Sequence, residues 1–495
     1  MLDVVIIGAG VIGSSVARAL SRYDLKVAVV ERGDDVCSGT SKANSGLVHA
    51  GFDAKPGSLN ARMNVEGAAM MPGVCKELDV PFTQPGALVV ATSEEEKTNL
   101  QALYDQGIAN GVSGLKILSG DEVRTLEPNV SDAVCGALYA ETAGIVCPFT
   151  LTIAMAENAN VNGVEFFFNQ NVDKVEKVKT HGGYYRLYAK DTVYEAKCIV
   201  NCAGVYSDVL HNMVSEKKYH ITPRRGEYCL LDHNAIGFAS RTIFKVPGPM
   251  GKGILVTPTA HGNILLGPTA EDVDDKDDVA TTAAGIDKIY SALGASVKNV
   301  PVRQVITGFS GLRAHEDGGD FIIEEAADAP GWIDAVGIES PGLSSAPAIA
   351  KRIEGIVTQI LKPSEKKDFI SCRRGIVMFL ELPAKEQKKL LSVRPEYGTI
   401  VCRCEMITEG EILDAIYRPL GATSMDGIKR RVRAGMGRCQ GGFCSPRVAE
   451  LLANAQRCSL DRITKRGPGS ELLAGPKGEA IDTRKVKGHS GKDNK

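Results

Sequence analysis

Residues 3–31 constrain the fold more than any other stretch. Asp3-Val4-Val5-Ile6-Ile7 is a short apolar run of the kind buried in a parallel sheet. Gly8-Ala9-Gly10-Val11-Ile12-Gly13 follows it, and Ser14 to Tyr23 then carries apolar residues at helical spacing. Gly8 allows the tight turn, Gly10 lets a pyrophosphate approach the backbone, and Gly13 lets the helix lie close on the strand. The helix start offers unpaired N–H groups and a positive dipole end to phosphate. A second strand, Lys26-Val27-Ala28-Val29-Val30, ends in Glu31, eighteen positions after Gly13. A carboxylate there accepts ribose hydroxyls and repels a 2′-phosphate. The bland alternative is a glycine-rich turn with no ligand. Strand before, helix after and acid at the next strand end decide for a dinucleotide.

At 495 residues the chain exceeds one core, so two to four domains are expected. No run of about twenty apolar residues exists to span a bilayer, and the first core strand starts too early for a signal peptide. Thirteen cysteines in such a chain read as free thiols and metal ligands in a reducing, cytoplasmic compartment. Net charge is −2, but the stretch from Val401 onward holds 18 Lys/Arg against 11 Asp/Glu. That surplus suits an acidic protein partner or a solvated basic tail. Aromatic residues do not interleave with these charges, which argues against nucleic acid.

After Glu31 the chain becomes small, polar and glycine-rich, unlike the next unit of a nicotinamide domain. This loop, Arg32 to Gly51, suits a backbone lying against a large flat ring, and it ends in Asn44-Ser45-Gly46-Leu47-Val48-His49-Ala50-Gly51, with Lys55-Pro56-Gly57-Ser58-Leu59 after it. Here the chain resembles FAD-dependent oxidoreductases of the D-amino-acid oxidase and glycerol-3-phosphate dehydrogenase superfamily. The segment is most similar to L-2-hydroxyglutarate dehydrogenases and the glycerol-3-phosphate branch. The resemblance covers most of residues 1–360. It implies FAD held by Gly8, Gly10, Ile12, Gly13, Glu31, Arg32, Thr40, Ser41, Asn44, Ser45, Gly46 and Leu47. It also implies a backbone contact from Val172 to adenine. Cys198 to Asp208 repeats the strand–turn–helix logic, and in this family Ala203 and Gly204 close around the phosphates. Gly342, Leu343 and Ser344 open a helix whose N–H groups suit the flavin edge where negative charge collects.

The implied fold class is α/β, a Rossmann-type FAD-binding domain with an inserted antiparallel β-sheet substrate domain, plus a small helical iron–sulfur domain. FAD-binding parts are expected at about 1–80, 145–210 and 305–365, and substrate parts at about 80–145 and 210–305. A linker at 366–395, a [2Fe–2S]-binding domain at 396–460 and a mostly disordered tail at 461–495 complete the 1–365 oxidoreductase domain. The run Glu271 to Asp278 reads as a solvated acidic loop.

Four cysteines stand apart, Cys402-Arg403-Cys404 and then Cys439-Gln440-Gly441-Gly442-Phe443-Cys444. Two cysteine loops on a helical scaffold enclose a four-thiolate centre. Structural zinc is the alternative, although its usual C-x₂₋₄-C spacing differs from the C-x-C here. The arrangement resembles the bacterioferritin-associated-ferredoxin-like [2Fe–2S] domain, which favours iron–sulfur.

Hydride removal from a carbinol carbon requires a base for the hydroxyl proton. His49, in the loop that the resemblance puts at the flavin, is the candidate; a hydrogen-bonded loop histidine is the alternative. The family often has an arginine beside substrate at the position of Arg313, and guanidinium holds carboxylate or phosphate bidentately. The alternative pairs it with Glu316 or Asp317. Arg224, Arg225 and Tyr228 are weaker candidates. The expected function is oxidation of a small anionic secondary alcohol, foremost glycerol 3-phosphate. Electrons leave through [2Fe–2S] to a protein subunit or carrier, and an oligomer is allowed. An L-2-hydroxy acid substrate, amine or amino-acid oxidation, and a non-catalytic electron-transfer subunit remain alternatives.

Overall fold

The computed structural model describes residues 1–179, 183–246 and 253–475. It divides into two units, Met1–Val377 with Gly437–Gln440, and Met378–Met436 with Gly441–Lys495. Among the described residues no helix is long and apolar enough to cross a membrane.

The first unit is built on two large sheets, with a small third one of Leu47–Val48, Gly144–Val146 and Phe82–Thr83. In one large sheet, Leu2–Ile7 lies between Val27–Val30 and Thr192–Asn201, parallel to both, with Glu165–Phe167 outermost beyond Val27–Val30. Trp332–Val336 runs parallel to Thr192–Asn201 on its other part. The strands that need burial on both faces are the uniformly apolar ones, and all four residues of Val27–Val30 are buried. Tyr184–Ala189 and Val172–Val178 extend the sheet as an antiparallel meander. Helices Val11–Leu20, Leu59–Leu78, Pro148–Val161 and Gly342–Leu361 pack with one another beside it.

The second sheet has nine strands and is the expected inserted layer, drawn from 87–140 and 221–316. One pair departs from the antiparallel expectation, because Thr242–Lys245 runs parallel to Ala87–Ala91. The FAD-binding part expected from about 305 contains Gly311-Leu312-Arg313. That tripeptide sits instead inside the strand Val305–Glu316, paired along its length with Ile221–Leu231. Return to the first sheet comes at Ile322–Glu325, antiparallel to Trp332–Val336. Glycines 308 and 311 break the apolar alternation of that strand and hide it from a pattern reading.

The expected linker at 366–395 is not a free spacer. Its first part straps the first unit, with Lys366 N–H donating to Arg22 O and both amide atoms of Asn162 engaging Ile370. Arg373 forms a buried ion pair with Glu157 at 2.6 Å and donates to Leu78 O. Charged composition signals solvent, but here the charges satisfy helix ends. Residues Ala384–Val393 form a helix within this stretch.

In the second unit a hairpin, Ile400–Cys402 with Ile407–Thr408, leads into Glu409–Tyr417, Met425–Val432 and Ser445–Gln456. Thr408 and Glu411 form a capping box at the first of these helices. Ile412, Ile428, Val432, Val448 and Leu452 are buried. The tail expected from 461 is folded through its first part. Ile463 is fully buried, and Thr464 O and Lys465 O accept the N–H groups of Met425 and Asp426. The last twenty residues, also expected as disordered tail, lie outside the described residues.

Candidate functional site

The phosphate end of the site is built as its glycines require. Gly8 has φ +101°, and a Cβ on it would lie 2.6 Å from Cys202 O. A Cβ on Gly13 would lie 1.9 Å from Gly8 O, so helix Val11–Leu20 packs on the loop at backbone contact. Gly10 differs, since its Cβ would meet only Ser41 Oγ at 3.1 Å and leaves a shallow cradle. Ser41 Oγ accepts the Val11 N–H at 2.8 Å. The N–H groups of Ile12 and Gly13 stay among the unpaired donors that any helix start presents. Across the sheet, Gly204 has φ +58° and open space where a Cβ would stand. These are the features of a backbone cradle for a pyrophosphate.

Glu31 is buried, with Oε2 accepting Ala9 N–H and Oε1 accepting Gly33 N–H, both at 2.7 Å. Burial raises its pKa while the two N–H bonds oppose that shift. Each oxygen keeps a lone pair for a ribose hydroxyl. Arg32 lies over the Tyr206 ring at 4.4 Å and pairs with Asp277 at 3.1 Å. Asp277 also accepts from Tyr206 at 2.7 Å. The acidic run stays mostly exposed, as expected, but several of its charges are paired. Lys276 pairs with Asp208, Arg224 with Asp272, and Arg225 with Glu271 and Asp278.

The loop after it is held from within. Thr40 Oγ1 donates to Leu312 O at 2.6 Å, and Asn44 accepts Gly46 N–H while donating to Ser41 O. Gly46 has φ +70°, and Leu47 pairs with Ile145. Val172 opens its strand opposite Ala189, just before a register shift that leaves its backbone irregular.

His49 is buried with its ring 4.6 Å from Phe52. Its N–H donates to Ser344 Oγ at 2.8 Å, and its carbonyl accepts from Asn64 Nδ2 at 2.6 Å. Nδ1 accepts Gly51 N–H at 3.1 Å and lies 3.5 Å from Asp53 Oδ1. Ser344 stands in the first turn of Gly342–Leu361, so the helix start and the histidine strand are tied together. Asn64, Asp53 and Ser344 as holders of His49 escape a motif reading. The only signal is a polar residue, Asn64, on the otherwise apolar buried face of its helix.

The second sheet supplies a wall. Directly paired strand residues share a face, so Arg224, Gly226 and Tyr228 lie on one side with Arg313, Gly311 and Phe309. A Cβ on Gly311 would lie 2.4 Å from Ala43 O, which turns this face toward the Thr40–Gly46 loop. Gly226 and Gly311 let neighbours close in, Arg313 across the first and Ala43 against the second, with Tyr228 stacked on Phe309 at 5.0 Å to one side. Arg225 falls on the opposite face, where Glu227, Glu271 and Asp278 surround it. Arg224 shares the loop-facing side but is held bidentately by Asp272. Arg313 has no carboxylate partner among the described residues, and neither Glu316 nor Asp317 takes it. Its guanidinium donates to Thr269 O at 3.2 Å, crosses Gly226 and adjoins Tyr228, whose phenol burial shifts upward.

The chain matches the family described as FAD dependent oxidoreductase over residues 3–354. It belongs to that family. The FAD module of this oxidoreductase is followed by a match to the BFD-like [2Fe-2S] binding domain over residues 400–454. FAD and a [2Fe–2S] cluster are its cofactors. It is 51% identical to the glycerol 3-phosphate dehydrogenase of Caloramator mitchellensis over 477 residues, 96% of this chain and 99% of that one. The mitochondrial L-2-hydroxyglutarate dehydrogenase of Arabidopsis thaliana is 29% identical, covering 71% of this chain and 82% of its own length. Among solved structures, the dithionite-reduced L-alpha-glycerophosphate oxidase from Mycoplasma pneumoniae with FAD bound superposes with a TM-score of 0.71. It is 30% identical and covers 75% of this chain and 98% of its own.

In the second unit, Cys402 ends the first hairpin strand and Cys444 immediately precedes helix Ser445–Gln456. Forty-two positions apart in sequence, the two thiols are in hydrogen-bond contact. That contact, with the N–H groups of Gly435 and Glu405, pulls the Cys402 thiol down to about 6 against the effect of burial. A thiol so disposed is a ready thiolate, which fits an iron–sulfur ligand. Cys404 sits two residues further in the hairpin turn. Cys439 lies in the Gly437–Gln440 segment, which belongs with the first unit and in which Gln440 N–H closes onto Gly437 O.

Proposed function

We propose that this oxidoreductase converts glycerol 3-phosphate to dihydroxyacetone phosphate and passes the electrons outward through its [2Fe–2S] centre. The observation that carries this reading is Arg313, a half-buried guanidinium without a carboxylate partner among the described residues, on the face turned toward the Thr40–Gly46 loop. A phosphate is the counter-charge it lacks. The 51% identity to a glycerol 3-phosphate dehydrogenase over nearly the whole chain favours that substrate over an L-2-hydroxy acid. FAD, when bound, supplies the acceptor for two electrons, and the cluster a route for them singly.

The chain's own residues position and deprotonate. Gly10, Ile12, Gly13, Ala203 and Gly204 would cradle the pyrophosphate, with Glu31 on the ribose, Arg32 beside it and Val172 at the adenine. Thr40, Ser41, Asn44, Ser45, Gly46 and Leu47, facing Gly342, Leu343 and Ser344, would bound the ring system. Arg313 binds the substrate anion and fixes the carbinol carbon. His49 takes the hydroxyl proton at Nε2. That requires the tautomer with hydrogen on Nδ1, which Asp53 at 3.5 Å accepts, in place of the Gly51 contact. Cys402, Cys404, Cys439 and Cys444 would hold the iron pair. Thirteen thiols free of disulfide bonds support a reducing, cytoplasmic setting.

Anaerobic mixing of the purified holoenzyme with glycerol 3-phosphate, L-2-hydroxyglutarate or glycine tests this directly. Bleaching of the flavin band by glycerol 3-phosphate at the lowest concentration is the expected result. Faster bleaching by either other compound, or bleaching by none, sinks the reading.

A further inference from the structure

We propose that Phe443 and Arg403 form the surface through which electrons leave, and that it receives an acidic one-electron carrier protein. This rests on the reading of the four cysteines as the cluster site.

Phe443 is 85% exposed, more than any other large apolar side chain among the described residues. It directly precedes Cys444, while Arg403 stands between Cys402 and Cys404. Because the thiols of Cys402 and Cys444 touch, the two side chains flank one centre. Arg403 is exposed and makes no ion pair among the described residues. Its neighbours differ, since Arg394 pairs with Glu396 and Asp414, Arg433 with Glu405, and Arg447 with Glu409 and Glu450. Met406, two residues past Cys404, adds further exposed apolar surface. An aromatic and an arginine left in solvent are the residue types that dominate protein interfaces.

Charge selects the occupant. Residues 378–436 and 441–475 hold 15 Lys/Arg against 11 Asp/Glu, and 476–495 add six against three. A second copy of this chain would set Arg403 against like charge at a two-fold contact, whereas an acidic carrier is attracted and steered. One alcohol oxidised releases two electrons and two protons. Two carriers, each reduced by one electron, take the electrons, and the protons pass to solvent.

Rubredoxin, a small acidic iron protein, serves as the probe. Oxidised holoenzyme is titrated with it at low and high ionic strength. Its reduction under glycerol 3-phosphate, or by holoenzyme pre-reduced with dithionite and desalted, is then followed. Arg403→Glu and Phe443→Ala should each weaken binding about tenfold at low salt, and Arg403→Glu should flatten the salt dependence. Arg403→Gln should lie between. Dye reduction and the visible cluster band should stay as in the parent. Unchanged rubredoxin affinity, preference for basic cytochrome c, altered oligomeric state in the variants, or loss of the cluster band in them would each overturn the proposal. Failure of substrate to bleach the flavin, with pre-reduced protein still reducing rubredoxin, would fault only the substrate reading.

Discussion

Arg224 and Arg313 face each other across the antiparallel pair Ile221–Leu231 and Val305–Glu316, and only Arg224 is held by a carboxylate. That asymmetry separates a structural arginine from a binding one. Replacing Arg313 with Met should lower kcat/KM for glycerol 3-phosphate about 100-fold, the order of a charge-assisted bidentate contact at ~3 kcal/mol. Arg313→Lys should recover part of it, because the charge remains but the fork does not. Arg224→Gln should cost stability more than turnover. Steady-state kinetics on the three variants decide, and equal losses for Arg224 and Arg313 would dissolve the distinction.

Ser344 links the start of Gly342–Leu361 to the histidine strand by accepting the His49 N–H at 2.8 Å. In Ser344→Ala that buried donor loses its acceptor, at about 1–3 kcal/mol. Thermal unfolding should come at lower temperature. Turnover should fall by roughly tenfold or more as His49 drifts from its aim. Parent-like turnover in a destabilised variant would mean that the position of His49 does not matter to the chemistry.

Much of this was legible in the chain because it depended on local chemistry. The glycine loop, its flanking strands and the acid at Glu31 follow one another within thirty residues, and each constrains the backbone alone. Arg225 could not be told from Arg313 in the same way. Which face an arginine takes depends on register with a strand some ninety residues away, and glycines 308 and 311 masked that strand's alternation. The strap at 365–375 was equally hidden. Its charges look solvated until Glu157, Asn162 and Asp79 are seen to receive it. Holders of His49 such as Asn64 carry no motif at all, since their role is set by what lies across the core.

Cys402 offers a direct reading of the second unit. Its thiol, pulled down to about 6 chiefly by Cys444, is prepared to bind iron as a thiolate. Cys402→Ser should yield protein with FAD at full stoichiometry, little iron and no visible iron–sulfur absorption. Glycerol 3-phosphate should still bleach its flavin. Iron content matching the parent, or zinc in its place, would remove Cys402 from the cluster or the cluster from the chain.

Glu31 carries a pH signature in the apoprotein. Burial raises its folded pKa above the unfolded value, so the fold prefers the protonated acid. Its contribution to stability is then full below the unfolded value of about 4.3 and is lost as pH rises through the folded one. Glu31→Gln removes that titration. In paired denaturant unfolding of the two apoproteins, the stability of parent minus variant should fall as pH rises from about 4.5 towards 7. A difference that stays flat or grows would mean that the two N–H bonds outweigh burial.

Gly13 and Gly10 belong to one motif yet should fail differently when given a methyl group. On Gly13 the added carbon would lie 1.9 Å from Gly8 O and 3.4 Å from Cys202 Cβ, both part of the sheet-and-loop frame. The helix must shift to admit it, and overpacking of that kind costs about 1–3 kcal/mol or more. Gly13→Ala should therefore lower the stability of the apoprotein and of the FAD-loaded form alike. On Gly10 the methyl meets only Ser41 Oγ at 3.1 Å, a side-chain atom that can move. Gly10→Ala should leave apoprotein unfolding close to the parent while FAD affinity drops, because the methyl stands where the pyrophosphate approaches. Denaturant unfolding of both apoproteins, set beside flavin titration by fluorescence quenching, separates the cases. Should Gly10→Ala bind FAD as the parent does, the cradle at that residue is not where the phosphates lie.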